Sequence, residues 1–544
     1  MFNYLSHKKI TLILSSRGFE SLHLDKGINN VGSLFLLKHY TPSKFKYNMA
    51  EMKNLAKQTA IYGISSILGK FLNWCLVPLY TYTLTNSAEY GVVTNLYAWT
   101  ALLLVILTYG METGFFRFAN KESKNANTVY SSILLCVGFT STLFALLCCS
   151  LSTQIANGLG YNKHPEYITL LAIIVALDAF GSIPFAYLRY QNRAIKFASL
   201  KVSMILVNIL FNIFFLVICP KIHQSNPEWI AWFYNPNYGV GYIFVSNLIS
   251  TLFVTLLLLP QIFCVPLKLD KGLLKQILAY SLPLLILGIA GIMNQTIDKI
   301  IFPFLIENRI EAETQLGIYG ACFKIAMIMM VFTQAFRYAY EPFVFAQNKN
   351  EDKKKQYADA MKFFIIFSLL ICLGMIFFID LFKPLIRSDY WEGLKVVPII
   401  LVSYLFQGIF FNLSIWYKLT DKTWFGAIFS LIGLIITITI NVLFVPHYGY
   451  MASAFASLCC YFCVMLLSYV IGQKHFPIHY DFKSISLYVG VAIILFLLHH
   501  YSPIKSGWSY YLQNSLFILL FVGLIIKRDL PLSAIPVINR LIKK

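Results

Sequence analysis

The sequence predicts an all-α polytopic membrane protein with about fourteen transmembrane helices. Of the residues, 58% are hydrophobic and only 12% are charged, whereas soluble proteins average about 25% charged. The apolar residues form blocks of roughly twenty, the length that a helix needs to cross the hydrocarbon core. Inside a bilayer only helices and closed barrels satisfy their own backbone, and these blocks are too long and too uniform for barrel strands.

The apolar blocks place the predicted spans at 59–81, 91–113, 128–152, 167–188, 198–219, 240–263, 275–297, 315–337, 361–380, 395–417, 424–445, 449–471, 484–499 and 511–526.

Lysine and arginine are about three times as frequent in one set of alternate loops as in the other. The rich set includes Arg117 and the run Lys353–Lys355, and the poor set includes Lys163, Lys299 and Arg309. Because basic loops stay in the cytoplasm, the rich set is predicted to be cytoplasmic. An even number of spans then places both termini in the cytoplasm.

The net charge of +20 is explained by this topology and does not indicate a nucleic-acid partner. The run Lys353–Lys355 is expected to lie on a solvated loop that touches anionic membrane lipids.

No motif in the chain points to an enzyme. The eleven cysteines lie almost entirely inside apolar blocks and show no zinc-type spacing, so they are interpreted as helix-packing residues and not as metal ligands. There is no convincing phosphate-binding glycine loop or nucleophile elbow. We therefore predict no catalytic residue, no metal and no cofactor beyond a candidate coupling proton or sodium ion.

Two six-helix segments carry matching features in the same order, which indicates an internal duplication. Residues Arg189, Arg193 and Asn212 recur at a constant offset as Lys418, Lys422 and Asn441. Because six is even, the two segments share one orientation, as in transporters built from parallel repeats. The predicted units are an N-lobe at 49–265, a C-lobe at 266–475, and a segment at 476–544 with two further helices and a cytoplasmic tail.

Residues 1–48 do not fit this plan, because their apolar runs are too short for a span or a signal-peptide core. We expect them to be either a disordered or surface-lying extension or a mis-annotated start, with translation beginning at Met49 or Met52.

Ionisable residues inside spans are candidates for function because burying them in hydrocarbon is costly. Four cations, Lys70, Lys324, Arg117 and Arg337, are predicted to line a cavity that binds an anionic headgroup. In the alternative interpretation Lys70 forms a structural ion pair with Asp178, and the two arginines extend to lipid phosphates.

Further polar residues follow the same helix faces. Ser66 and Asn73 share a stripe with Lys70, and Gln295 shares one with Asp298, so Ser66, Asn73 and Gln295 are predicted to be a polar cavity lining. Candidate sites for a coupling ion are Asp178, Asp298 and Glu112. The asparagines Asn208, Asn212 and Asn441 are expected to bridge helices rather than line the cavity.

Two segments resemble a known family. Gly110-Met-Glu-Thr-Gly-Phe-Phe-Arg-Phe-Ala119 and Pro184-Phe-Ala-Tyr-Leu-Arg189, which Arg193 and Phe197 follow, are similar to segments of bacterial polysaccharide or O-antigen repeat-unit flippases. These belong to the multidrug/oligosaccharidyl-lipid/polysaccharide exporter superfamily. The resemblance covers about residues 50–530.

The resemblance implies that the protein flips an undecaprenyl-pyrophosphate-linked oligosaccharide across the bacterial cytoplasmic membrane by alternating access. It also implies that polysaccharide polymerases and glycosyltransferases are partners. The alternatives are a peptidoglycan-precursor (lipid II) flippase, an ion-coupled drug extruder of the same superfamily, and a membrane-embedded polymerase or glycosyltransferase. The excess of lysines over carboxylates disfavours the extruder of cationic drugs, and the lack of a large external loop disfavours the enzyme.

Overall fold

A computed structural model describes residues 63, 65–121, 126–346, 352–420, 422–504 and 506–529. Within these ranges the regular structure is entirely helical, which confirms the predicted fold class. The predictions for residues 1–48 and for the terminal tail fall outside the described residues.

The principal helices, numbered α1 to α14 along the chain, are α1 (residues 65–74 and Leu76–Thr83), α2 (Ser87–Thr108, followed by Met111–Lys121), α3 (Ala126–Ser150), α4 (Pro165–Tyr190), α5 (Ala194–Ile213, followed by Cys219–Ser225), α6 (Val240–Ile262), α7 (Lys271–Ile301), α8 (Arg309–Ala346), α9 (Asp352–Phe377), α10 (Val397–Leu413, followed by Ile415–Leu419), α11 (Trp424–Tyr448), α12 (Tyr450–His475), α13 (Phe482–Tyr501) and α14 (Gly507–Arg528).

Thirteen helical segments of the described chain, α2 to α14, are long and apolar enough to cross a membrane. Large apolar side chains such as Phe139, Leu146 and Ile435 are exposed on the outside of the bundle, as expected of surfaces that face hydrocarbon. The fourteenth predicted span corresponds to α1, whose first predicted residues are not described, so the count of fourteen stays a prediction.

Several helices extend well beyond the predicted apolar blocks. The predicted span 315–337 is part of the 38-residue α8, and the predicted span 275–297 is part of the 31-residue α7. An apolar block marks only the part of a helix that crosses hydrocarbon, whereas backbone hydrogen bonding continues into the polar regions on either side.

Polar caps and a left-handed pair of residues fix where the helices start and bend. The Asn86 side chain accepts a hydrogen bond from the Glu89 amide at the start of α2, and Asp270 accepts one from the Leu273 amide at the start of α7. Tyr109 and Gly110 have φ of 30° and 72°, and they separate the two parts of α2.

The helices have equivalent neighbours in the two segments of the predicted duplication. α4 packs on α2, α3 and α6, and α5 packs on α6; correspondingly, α10 packs on α8, α9 and α12, and α11 packs on α12. α2 and α8 pack along each other at the centre, and α13 and α14 pack on α9. The lobe boundaries themselves stay a prediction.

Candidate functional site

A cavity of about 610 Å³ lies at the centre of the bundle, in the size range of small-molecule sites. Helices α1, α2, α5 and α6 form one wall, and α7, α8, α10 and α12 form the other. We call the end at which α2 and α8 begin the far end, and the opposite end, which carries the lysine- and arginine-rich loops, the basic end.

Three lysines line the cavity: Lys201 of α5, Lys299 of α7 and Lys324 of α8. Within the described part of the chain no aspartate or glutamate reaches its surface. Lys324 also has no carboxylate in an ion pair with it among the described residues. Its backbone carbonyl accepts a hydrogen bond of 2.9 Å from the indole of Trp74, which fixes α1 against α8.

Lys299 is partly neutralised by its neighbour in the chain. Its ammonium lies 2.9 Å from a carboxylate oxygen of Asp298, which also accepts a 2.9 Å hydrogen bond from Tyr319. Lys299 is 8% exposed and Asp298 is 2% exposed, and the Lys299 ammonium sits 3.9 Å from the Phe323 ring centroid. Asp298 is therefore the buried counterion of a cavity lysine and does not itself line the cavity.

The assignment of Lys299 to a loop was wrong. The predicted seventh span ended at 297, whereas α7 continues to Ile301 and carries Lys299 inside the bundle. The error has a simple cause: a charged pair, Asp298 and Lys299, terminates an apolar block in a hydropathy count even when the two charges neutralise each other.

Lys201 was missed as a candidate although it lies inside the predicted fifth span. Asp178 of α4 is its electrostatic neighbour, and the Lys201 ammonium sits 4.1 Å from the Phe185 ring centroid. Asp178 also accepts a long hydrogen bond of 3.5 Å from Thr251 of α6. The structure thus places Asp178 beside Lys201, not in the alternative pair with Lys70. An intramembrane lysine was the signal that could have identified this position.

Lys70 and Arg337 lie near each other, and Lys70 is also an electrostatic neighbour of Lys324. Neither Lys70 nor Arg337 is among the residues that line the cavity. Arg337 is exposed and its guanidinium lies 5.3 Å from the Phe411 ring centroid. This basic pair is therefore adjacent to the cavity on the side of the basic end.

Arg117 and Glu112 belong to the basic end and not to the cavity. The Arg117 guanidinium lies 4.1 Å from the Tyr280 ring centroid, which connects α2 with α7. Glu112 forms an ion pair with Arg189 of α4. The structure therefore separates these two residues from Lys324, with which the sequence grouped Arg117.

The predicted polar lining is only partly brought together. Asn73 and Gln295 line the cavity, whereas Ser66 is absent from the lining and accepts a 3.5 Å hydrogen bond from Tyr338. Contrary to expectation, Asn208 lines the cavity. Asn441 does connect two helices, since it accepts a 2.7 Å hydrogen bond from Ser453 of α12.

The far end of the cavity is closed by contacts between the two walls. Asn95 of α2 donates a 2.7 Å hydrogen bond to the backbone carbonyl of Lys299, and Arg387 donates one of 2.8 Å to the carbonyl of Leu84. Gly91 of α2 and Gly317 of α8 meet where these helices cross. A Cβ atom built on Gly91 would collide with the Glu313 carbonyl, and one on Gly317 with the Ser87 carbonyl.

Within the described residues no three His, Cys, Asp or Glu side chains are grouped so that they could hold a metal ion.

The structure is similar to solved membrane transporters. The lipid II flippase MurJ in an inward closed conformation matches 86% of this chain and 99% of its own, at 14% identity and a TM-score of 0.66. An inward-facing multidrug resistance MATE family transporter matches 75% of this chain and 95% of its own, at 12% identity and a TM-score of 0.59. An outward-facing multidrug resistance MATE family transporter matches 77% of this chain and 95% of its own, at 14% identity and a TM-score of 0.52. At these identities the likeness shows the fold.

The helices and the central cavity give the described chain the fold of these multi-pass membrane transporters. Residues 304–443 match the MatE family. Residues 55–339, more than half of the chain, match the family described as polysaccharide biosynthesis protein. The chain belongs to this polysaccharide biosynthesis protein family. A search of curated proteins gives no match.

Proposed function

We propose that this protein flips a polyprenyl-pyrophosphate-linked oligosaccharide across the bacterial cytoplasmic membrane for surface polysaccharide synthesis. The observation that carries the proposal is the central cavity, which three lysines line and no described carboxylate reaches. In a low-dielectric interior such a cavity favours an anionic ligand. The family match to polysaccharide biosynthesis proteins supports a lipid-linked glycan over other anions.

Lys324 is the central contact for the pyrophosphate in this proposal. Lys299 and Lys201 each have a carboxylate nearby, whereas Lys324 adds a charge that no described carboxylate pairs with. Ammonium groups supply both charge and hydrogen-bond donors to phosphate oxygens. Lys70 and Arg337 would attract the headgroup from the side of the basic end, while the polyprenyl tail stays in the bilayer.

Transport by alternating access requires the far end to open. The contacts of Asn95 and Arg387 and the crossing of Gly91 with Gly317 hold it closed in this conformation. The proposed cycle separates α2 from α8 at the far end and closes the cavity towards the basic end. We place the basic end and both termini in the cytoplasm, as the positive-inside rule predicts.

A coupling proton or sodium ion would bind at a carboxylate near the cavity. We favour Asp178, because its hydrogen bond from Thr251 is long and its cation, Lys201, itself lines the cavity. Asp298 and Glu112 are weaker candidates because each is held in a direct ion pair.

Two other substrates remain as alternatives. A lipid II flippase would need the same pyrophosphate contacts, and the lysines suit both headgroups equally. A drug extruder for cations would need carboxylates on the cavity surface, and the described lining has none. We propose a transporter and not an enzyme, with glycosyltransferases supplying the lipid-linked unit and a polymerase consuming it.

The decisive experiment deletes the gene for this protein in its host. Mass spectrometry then identifies the lipid-linked intermediates that accumulate. Complementation with the wild type should clear the intermediate, whereas a double Lys70→Gln, Lys324→Gln variant present at normal levels should not. Accumulation of the peptidoglycan precursor alone would establish the lipid II alternative. Undiminished surface polymer with the double variant would refute the cationic site.

A further inference from the structure

The two walls of the cavity differ in their charged groups. The wall of α7, α8, α10 and α12 carries the ammonium groups of Lys299 and Lys324 beside neutral groups such as Gln295. The wall of α1, α2, α5 and α6 carries neutral amides and hydroxyls and one lysine, Lys201, whose electrostatic neighbour is Asp178. A ligand with an anionic end and a polyhydroxylated end would therefore meet two lysines on one wall and mostly uncharged hydrogen-bonding groups on the other.

Three neutral side chains on different helices of the second wall line the cavity: Tyr97 of α2, Asn208 of α5 and Asn247 of α6, which we call the amide cluster. All three line the cavity and all are partly exposed to it. The amide nitrogen of Asn247 lies 3.4 Å from the Tyr97 hydroxyl, to which it donates. The cluster therefore brings three helices together around the ligand space.

The hydrogen bonds within the wall determine what it can offer a ligand. The amide of Asn212 donates a 3.0 Å bond to the side-chain oxygen of Asn208, so the Asn208 oxygen is engaged and its amide N–H groups can face a ligand. The Tyr97 oxygen accepts from Asn247, which leaves its O–H as a donor and the Asn247 oxygen as an acceptor. The amide cluster thus presents both donors and an acceptor, with no net charge.

This combination suits sugar hydroxyl and acetamido groups, which both donate and accept. The donors could also serve a phosphate, but the acceptor, the Asn247 oxygen, has no partner on a phosphate, which only accepts. Selectivity from such a site is strong because a buried polar group without its partner is costly.

We propose that the amide cluster is a subsite for the sugar next to the pyrophosphate, and that Tyr97, Asn208 and Asn247 determine which glycan is accepted. This inference rests on the proposed function, since it orients the same headgroup: pyrophosphate towards Lys324, first sugar towards α2, α5 and α6. The lysines then set affinity for any polyprenyl pyrophosphate, and the amide cluster sets preference among glycans.

The test measures binding of bare undecaprenyl pyrophosphate and of the same lipid carrying glucose, galactose or N-acetylglucosamine. The full-length protein is used in lipid nanodiscs. We define the sugar gain as the Kd of the bare lipid divided by the Kd of the tightest-binding glycosylated lipid. We expect a sugar gain above one in the wild type. Asn247→Ala and Asn208→Ala should each reduce that gain, by up to about tenfold, while the Kd of the bare lipid stays within about twofold.

Tyr97→Phe removes a single hydroxyl and retains the ring, so it tests the same idea with little risk to folding. Gln356→Ala, an exposed amide of α9 outside the cavity, is the control for amide loss as such. Lys324→Gln should weaken all probes by a similar factor and leave the sugar gain unchanged.

The outcomes separate the two proposals. If Lys324→Gln leaves binding of every probe unchanged, the proposed pyrophosphate site is wrong. If Lys324→Gln weakens all probes but the three cluster variants retain the wild-type sugar gain, the subsite is wrong and the proposed function stands. A wild type that binds every glycosylated probe no better than the bare lipid also refutes the subsite.

Discussion

Substituting Gly317 by alanine should weaken the closure of the far end. A Cβ at this position would overlap the backbone carbonyl of Ser87 on α2, and a backbone atom cannot rotate aside as a side chain can. α2 and α8 must therefore move apart at the far end. We expect this movement of α2 to weaken its other contact there, the 2.7 Å hydrogen bond from Asn95 to the Lys299 carbonyl of α7. Gly91→Ala should act in the same way, through the Glu313 carbonyl.

The size of the effect follows from the cost of overpacking. Inserting a methyl group into a well-packed contact costs about 1–3 kcal/mol, which corresponds to a change of about 5- to 150-fold in the equilibrium between closed and open far ends. Replacing glycine by alanine inside a helix also stabilises the helix by about 1 kcal/mol. Gly374→Ala and Gly523→Ala measure this helix stabilisation alone, since an added Cβ meets nothing within 4 Å at either position.

The assay is hydrogen–deuterium exchange of the purified protein in lipid nanodiscs, read on peptides covering 84–91 and 309–317. Gly317→Ala and Gly91→Ala should accelerate exchange there, whereas the two control variants should not. Export should fall in parallel, because the inward- and outward-open populations become unbalanced. Unchanged exchange at both peptides in both crossing variants would show that this contact does not hold the far end closed.

Three further predictions concern single contacts. Lys324→Gln should reduce export about 10- to 100-fold, because it removes a hydrogen bond to a charged group. Lys324→Arg keeps the charge and should retain more of the export. Equal export by wild type and Lys324→Gln would contradict the role of this charge. Asn95→Ala should raise exchange at 84–91 about fivefold, from the loss of about 1 kcal/mol; no rise would mean that this hydrogen bond is not part of the closure. Asp529 accepts hydrogen bonds of 2.7 Å from Lys362 and 2.6 Å from Tyr488, which connect α14 to α9 and α13, so Asp529→Asn should destabilise the protein by about 2 kcal/mol in thermal unfolding. Burial raises the pKa of Asp529, but the hydrogen bonds from Lys362 and Tyr488, together with the charges of Lys362 and Arg528, outweigh burial and hold the pKa below its usual value. The stabilisation is therefore present above the ordinary aspartate pKa of about 4 and lost as pH falls below it. An equal acid sensitivity of wild type and Asp529→Asn would contradict this.

The cationic residues show how much of the candidate site can be predicted from the sequence alone. Lys70, Lys324 and Lys201 all lie inside apolar blocks, and each could be identified as costly to bury. Of these, only Lys324 and Lys201 line the cavity. Helical spacing places a residue on one face of its helix but does not state which helix lies opposite that face.

The carboxylates show the same limit of prediction from sequence. Asp178, Asp298 and Glu112 looked alike in the sequence, as isolated acids in or beside spans. Their partners are Lys201, Lys299 and Arg189, and two of these lie on a different helix. Whether such an acid binds an ion or neutralises a cation depends on that partner, and the partner is set by packing.

The sequence by itself determined the helical, membrane-spanning architecture and the approximate position of each apolar span. It could do so because the length and composition of an apolar block are local properties, and the bilayer imposes helix on any such block. Only the tertiary structure decided that Lys299 lines the cavity, that Lys70 does not, and that Gly91 and Gly317 meet at the far end. These facts depend on distances between helices far apart in the chain, which packing fixes and composition does not.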